Sequence, residues 1–268
     1  MFLKLFSIEW TRLTRRMLLW VTFIACALFV WLSLENFYNM NHAQLIDGSL
    51  KMPGVSFDLA NSLDQLLLIA LPFLVIMTSL VLGNDYSQRT NQHWFMRTSR
   101  SASLLTKFSL LALVTFSLQV LALIIGGGTG WYYKTFLYQT YTVANVDWLA
   151  AFTATFYMTL ATLPYIALML LITVITRSTF AGVAIGLGYT QFIEILLTSI
   201  FSNSGWTKWM MRNLYFSATF LLNSIGSKTV EVPSQLLDPI PAFVTATIYT
   251  LIFLSLAIWL YRRQDVGG

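Results

Sequence analysis

The chain has 268 residues, of which 57% are hydrophobic and only 10% charged, with a mean hydropathy of +0.68. A soluble domain carries roughly 25% charged residues, so this composition excludes a soluble globular protein. The net charge of +5 invites a polyanion-binding reading, and the positions of the charges decide against it.

Residues 1–16 predict a helix lying in a membrane surface. On a wheel of 100° per residue, Phe2, Leu3, Leu5, Phe6, Trp10 and Leu13 share one arc, while Lys4, Ser7, Thr11, Arg12, Thr14 and Arg15 share the other. Such a helix turns its apolar face to lipid and its basic face to anionic headgroups. Ile8, Glu9 and Arg16 break the pattern.

Six long intervals without charge follow, between Arg16 and Glu35, Asp64 and Asp85, Lys107 and Lys134, Asp147 and Arg177, Arg177 and Glu194, and Asp238 and Arg262. A helix needs about 20 apolar residues to cross a bilayer, because each residue rises only ~1.5 Å. Five intervals have 18 to 29 residues, and the 16-residue interval before Glu194 becomes a span if that glutamate is tolerated. The predicted spans are 17–34, 65–83, 109–126, 150–175, 179–200 and 242–261, with the third ended by Gly126-Gly127-Gly128. Pro72 and Pro164 fall inside spans and predict kinks. Trp131, Tyr132, Tyr133, Trp148, Trp259 and Tyr261 fall at span ends, where amphipathic rings prefer to lie.

The first span resembles a signal peptide in its basic flank, but 17–34 is longer than an ordinary apolar signal core and Ser33-Leu34-Glu35-Asn36 is no A-x-A site. We read it as uncleaved. Cys26 is the only cysteine, so the chain has no internal disulfide. The gaps 35–64 and 201–238 are too short for a further domain, which leaves one membrane domain over 1–268. Within the second gap, 206–225 is too apolar for a free loop, and predicts a re-entrant or interfacial segment in an outer region over 201–240.

The basic residues sort by side. Lys4, Arg12, Arg15, Arg16, Arg89, Arg97, Arg100, Lys107, Arg177, Arg262 and Arg263 fall on one side, and Lys51, Lys134, Lys208, Arg212 and Lys228 on the other. Lysine and arginine are retained in the cytoplasm, so both termini are expected inside. The basicity serves topology, with membrane lipid and not nucleic acid as its counterpart.

No catalytic or metal pattern emerges. His42 and His93 have no ligand spacing, Gly126–Gly130 lacks a following Gly-Lys-Ser/Thr, and Gly226-Ser227-Lys228-Thr229 has the order wrong. The chain is therefore not expected to be an enzyme or to hold a cofactor. Glu194 is the one acid well inside a predicted span. Intramembrane charge is costly and marks a polar path or a partner. It either lines a translocation path with Thr190, Gln191 and Thr198, or reaches the outer interface. One turn earlier, Gly182-x-x-x-Gly186 permits close helix approach, either in the core or at a dimer seam.

The connection 83–107 is the most specific segment. It sets Trp94, Phe95 and Met96 between Arg89, Arg97 and Arg100, an aromatic centre suited to a groove on a cytoplasmic partner. It also resembles the corresponding loop of type-2 ABC transporter permeases, a pattern like Glu…Gly-Thr…Pro-x-Ser-Arg…Lys. Thr90, Ser99, Arg100 and Lys107 match, Asp85 and Arg89 stand for the glutamate and glycine, and the proline is absent. The likeness extends to the surface helix, six spans, the outer segment and the Arg262-Arg263-x-Asp265 ending. It implies a permease of a bacterial cytoplasmic membrane, paired with a second copy or a sister permease. A separate ABC ATPase subunit would supply ATP and Mg and dock on Arg89, Thr90, Trp94, Phe95, Arg97 and Arg100. The implied activity is export of a hydrophobic or amphipathic compound, such as an antimicrobial peptide, a drug or a lipid-linked molecule. The alternatives are an ion-coupled carrier using Glu194, or a non-transporting immunity or scaffold protein.

Overall fold

A computed structural model describes residues 2–46, 55–87, 100–138, 148–201, 205–217 and 236–264. Every regular element among them is helical: α1 Phe2–Thr14, α2 Met17–Met40, α3 His42–Ile46, α4 Val55–Ser87, α5 Arg100–Tyr132, α6 Trp148–Thr176, α7 Thr179–Leu187, α8 Glu194–Ile200 and α9 Pro239–Arg263. A short helix at 211–217 precedes α9. Two wider π turns, Tyr133–Leu137 and Gly188–Ile193, extend α5 and join α7 to α8. Among the described residues, six helices are long and apolar enough to cross a membrane: Met17–Met40, Phe57–Tyr86, Arg100–Leu137, Ala151–Thr176, Thr179–Ile200 and Pro239–Arg263.

The apolar runs sit where expected, and 179–200 matches to the residue, but several other ends run past the expected ones. The third span runs helically straight through Gly126-Gly127-Gly128, which were expected to end it. Without water to compete for backbone groups, glycine inside a spanning helix keeps its hydrogen bonds. Here the absent side chain is used: a Cβ on Gly126 would lie 2.6 Å from the Ser62 Cβ of α4. The connection 83–107 is also narrower than expected, since α4 continues to Ser87 and α5 starts at Arg100. Residues 88–99, with Arg89, Thr90, Trp94, Phe95 and Arg97, lie outside the described residues.

The central helices are α4 and α6, whose most apolar windows are 67% and 72% buried, against 22–39% for the other spans. The outer spans keep most of their apolar surface exposed. Helix α4 packs against α2, α5, α6 and α7, and α6 against α9. One apolar core runs through the bundle, including Leu34, Leu63, Leu71, Leu111, Ala154 and Leu170. Threonine hydroxyls inside it bond back to carbonyls one turn earlier, as Thr22 does to Leu18 and Thr155 to Ala151, so these hydroxyls need no water.

Tight joints set the order of the helices. Arg177 takes a left-handed φ of 52°, closing α6 as glycine usually does, and Ser178 Oγ accepts from the Ala181 N–H to start α7. Gly83 of α4 lies so close to the start of α7 that a Cβ would sit 2.8 Å from Thr179 Cα. Pro239 occupies the first turn of α9, where its missing N–H is not needed.

Candidate functional site

Helix α1 packs on α5 through Leu5 and Leu13, and Glu9 lies on the same face. That position explains why Glu9 broke the sequence pattern. Its Oε1 accepts from Lys107 Nζ of α5 at 2.8 Å, and Asp85 Oδ2 at the end of α4 meets the same ammonium at 2.9 Å. Lys107 is 1% exposed, so one buried cation joins three helices. Arg12 adds a longer contact to Glu9, at 3.6 Å. Arg16 donates to the Leu80 carbonyl at 3.2 Å. Burial pushes its guanidinium pKa down, opposed by the nearby Asp85 and Glu9 carboxylates.

A second junction adjoins the first. Tyr86 of α4 donates to Gln264 Oε1 at 2.8 Å, and Gln264 Nε2 donates to the Val174 carbonyl of α6 at 2.6 Å. Arg100, the first residue of α5, donates to the carbonyls of Arg262 at 3.3 Å and Gln264, capping the C-terminal end of α9. A cation at that end also complements the helix dipole. Both roots of the 88–99 connection are thus wired into the bundle: Asp85 and Tyr86 on one side, Arg100 and Lys107 on the other, reaching α1, α6 and α9. Of the six residues expected to meet a partner, only Arg100 is described, and its guanidinium is engaged within the chain.

Thr190, Glu194 and the two glycines share one buried face. In a regular α-helix, residues four apart drift by about 40° round the axis. The π turn Gly188–Ile193 winds more slowly, which returns Glu194 to the face of Gly182 and Gly186. Both glycines are spent inside the chain. A Cβ on Gly182 would lie 2.7 Å from Thr173 Oγ1 of α6, and one on Gly186 2.6 Å from Val75 Cγ1 of α4.

Glu194 is fully buried. Tyr165 of α6 donates to its Oε2 at 2.7 Å, and the Arg212 backbone N–H donates to Oε1 at 2.9 Å. The carboxylate caps the helix at 211–217. Thr190 bonds back to the Gly186 carbonyl, Thr198 to that of Glu194, and Gln191 is half-buried. In this conformation Glu194 reaches neither solvent nor the lipid-facing surface, and its polarity is met within the protein.

A third cluster was not anticipated. Asp58 of α4, wholly buried, accepts from Tyr38 of α2 at 2.7 Å and pairs with Lys134 in the π turn after α5. Tyr38 stacks on Tyr133 at 4.6 Å. Gly130 makes room for the pair, since a Cβ there would lie 2.6 Å from the Asp58 carboxyl carbon. The signal available in sequence was glycine spaced four apart at 126 and 130, one turn ahead of a lysine. No group of three or more metal-ligating side chains occurs among the described residues. Set against models of known families and against curated proteins, the chain matches none.

Proposed function

We propose that the chain is the membrane-spanning permease subunit of an ATP-driven ABC exporter. It moves a hydrophobic or amphipathic compound out of the cytoplasm or inner leaflet of a bacterial plasma membrane. The observation that carries this reading is the pair of junctions around residues 88–99. A force on that connection acts on Asp85, Tyr86, Arg100 and Lys107, and through them on α1, α6 and α9. A merely topogenic loop needs no such wiring. The ATPase is a separate subunit that binds ATP and Mg and docks on Trp94 and Phe95, with Arg89, Thr90 and Arg97 around them. The permease works with a second copy or sister permease, and α1 rests in the headgroup region with Leu3 and Trp10 exposed to lipid.

Affinity purification of the full-length chain from its own membranes should retain an ATPase, read as phosphate release from ATP. Trp94→Ala should lower the retained activity at least tenfold at equal permease yield. Unchanged retention, or no ATPase with the parent chain, sinks the reading.

The same reading puts both termini in the cytoplasm, on the side holding 11 of the 16 basic residues. Reporter fusions after Lys107 and after Arg263 should both give the cytoplasmic signal. An external C-terminus would make 206–225 a true span and remove the basis for the docking loop.

A further inference from the structure

The segment 205–217 is attached to the bundle by buried apolar side chains and a few directed contacts. Arg212 N–H meets Glu194 of α8 at 2.9 Å, and Tyr215 OH donates to the Leu63 carbonyl of α4 at 2.9 Å. Ser217 Oγ accepts from the Leu237 N–H at 3.2 Å, just ahead of α9. Within the segment, Asn213 Nδ2 ties back to the Thr207 carbonyl at 2.8 Å, which keeps the 3-10 turn Thr207–Trp209 folded on the short helix. Met211, Leu214 and Tyr215 point inward, while Trp206 and Trp209 stay exposed. The segment is therefore a self-contained, two-faced piece seated between α4, α8 and α9.

Beside Tyr215 lies a small cavity lined by α4, α5 and α6. Leu67, Leu71 and Leu118 make its apolar wall, and Thr115, Gln119 and Thr162 make a polar strip. Gln119 is buried in mid-span and accepts from Thr159 at 2.9 Å. A buried amide so far from either end of its helix has no packing advantage over leucine. We propose that residues 205–217 are an outer lid over a compartment lined within this single chain, with Glu194 and Tyr215 as its two fastenings. As it stands the compartment has room for no more than about one water molecule. Opened, its leucine wall and amide strip suit a molecule with an apolar body and one hydrogen-bonding group. The fastening explains the intramembrane glutamate without requiring a titration cycle. It is also independent of the energy source, because the lid is defined by contacts within the chain.

Cys26 is the sole cysteine, so Cys26→Ala gives a clean background for a thiol reporter at Thr162. A membrane-impermeant maleimide is applied to sealed vesicles of both orientations carrying the full chain with Thr162→Cys. The parent should label slowly from either face. Glu194→Ala, or Tyr215→Phe, which removes only a hydroxyl, should speed labelling at least tenfold from the face opposite the termini. The melting temperature, measured beside it, tells lid release from unfolding: labelling accelerated from both faces with a collapsed melting transition counts against the proposal. So does equal labelling in parent and variants, fast labelling in the parent, or acceleration from the terminal face. A failure here leaves the ATPase retention test intact, and the reverse also holds.

Discussion

Replacing Lys107 with methionine should destabilise the protein by about 3–5 kcal/mol, the usual cost of breaking a buried ion pair by removing one partner. The two carboxylates left behind are 13% and 16% exposed, too little for water to replace the lost ammonium. They also face one another across the vacated position, so like-charge repulsion adds to the desolvation cost. The triple substitution Glu9→Gln, Asp85→Asn, Lys107→Met should regain most of the loss, because neutral groups of similar shape carry no unpaired charge. Thermal unfolding of the purified full chain gives the comparison. Equal melting temperatures for Lys107→Met and the parent would show that the cation contributes nothing. A triple variant worse than the single one would show that shape, not charge, holds α1 to the bundle.

Much of the helical frame was legible because intervals without charge are a direct consequence of the solvent a spanning helix meets. Each of the six apolar runs appears in a helix long enough to cross a membrane. Where an end was misread, a charge or a glycine run had been taken as the boundary of a span. Asp58 lies inside the second spanning helix and Lys107 inside the third, each neutralised by a partner from another helix. A pairing between distant segments leaves no periodic trace in sequence. Glu9 likewise looked like an error in an amphipathic wheel until its partner on α5 was in view.

The candidate site was legible only in part, again for physical reasons. Glu194 drew notice because an isolated acid in an apolar run is expensive. What satisfies it is a backbone N–H from residue 212 and a tyrosine hydroxyl from residue 165, neither of which has a sequence signature. The π turn at Gly188–Ile193 is equally silent, and a wheel drawn at 100° per residue would rotate Glu194 well away from the glycine face. Arg100 carried the family likeness in sequence, yet its described bonds run to carbonyls at the end of α9. It remains compatible with a docking surface as the residue through which a partner's push would reach that helix.

The cluster at the far end of α4 should respond as strongly as the Lys107 junction. Asp58 is fully buried and Lys134 4% exposed, so Asp58→Leu or Lys134→Met alone strands one charge and should cost about 3–5 kcal/mol. The pair Asp58→Asn with Lys134→Met should recover most of it, whereas Tyr38→Phe, which removes one donor, should cost about 1–3 kcal/mol. The comparison worth most is between the two ends of α4. Asp58 and Asp85 stand 27 positions apart on one helix, about 40 Å at helical rise, so direct coupling between their cations is negligible. In a single rigid packing, the losses from Lys107→Met and Lys134→Met should add within about 0.5 kcal/mol. Thermal or denaturant unfolding of the two single variants and the double decides it. A larger interaction term would mean that α4 carries the state of one end to the other, which a fixed bundle does not do and an alternating transporter must.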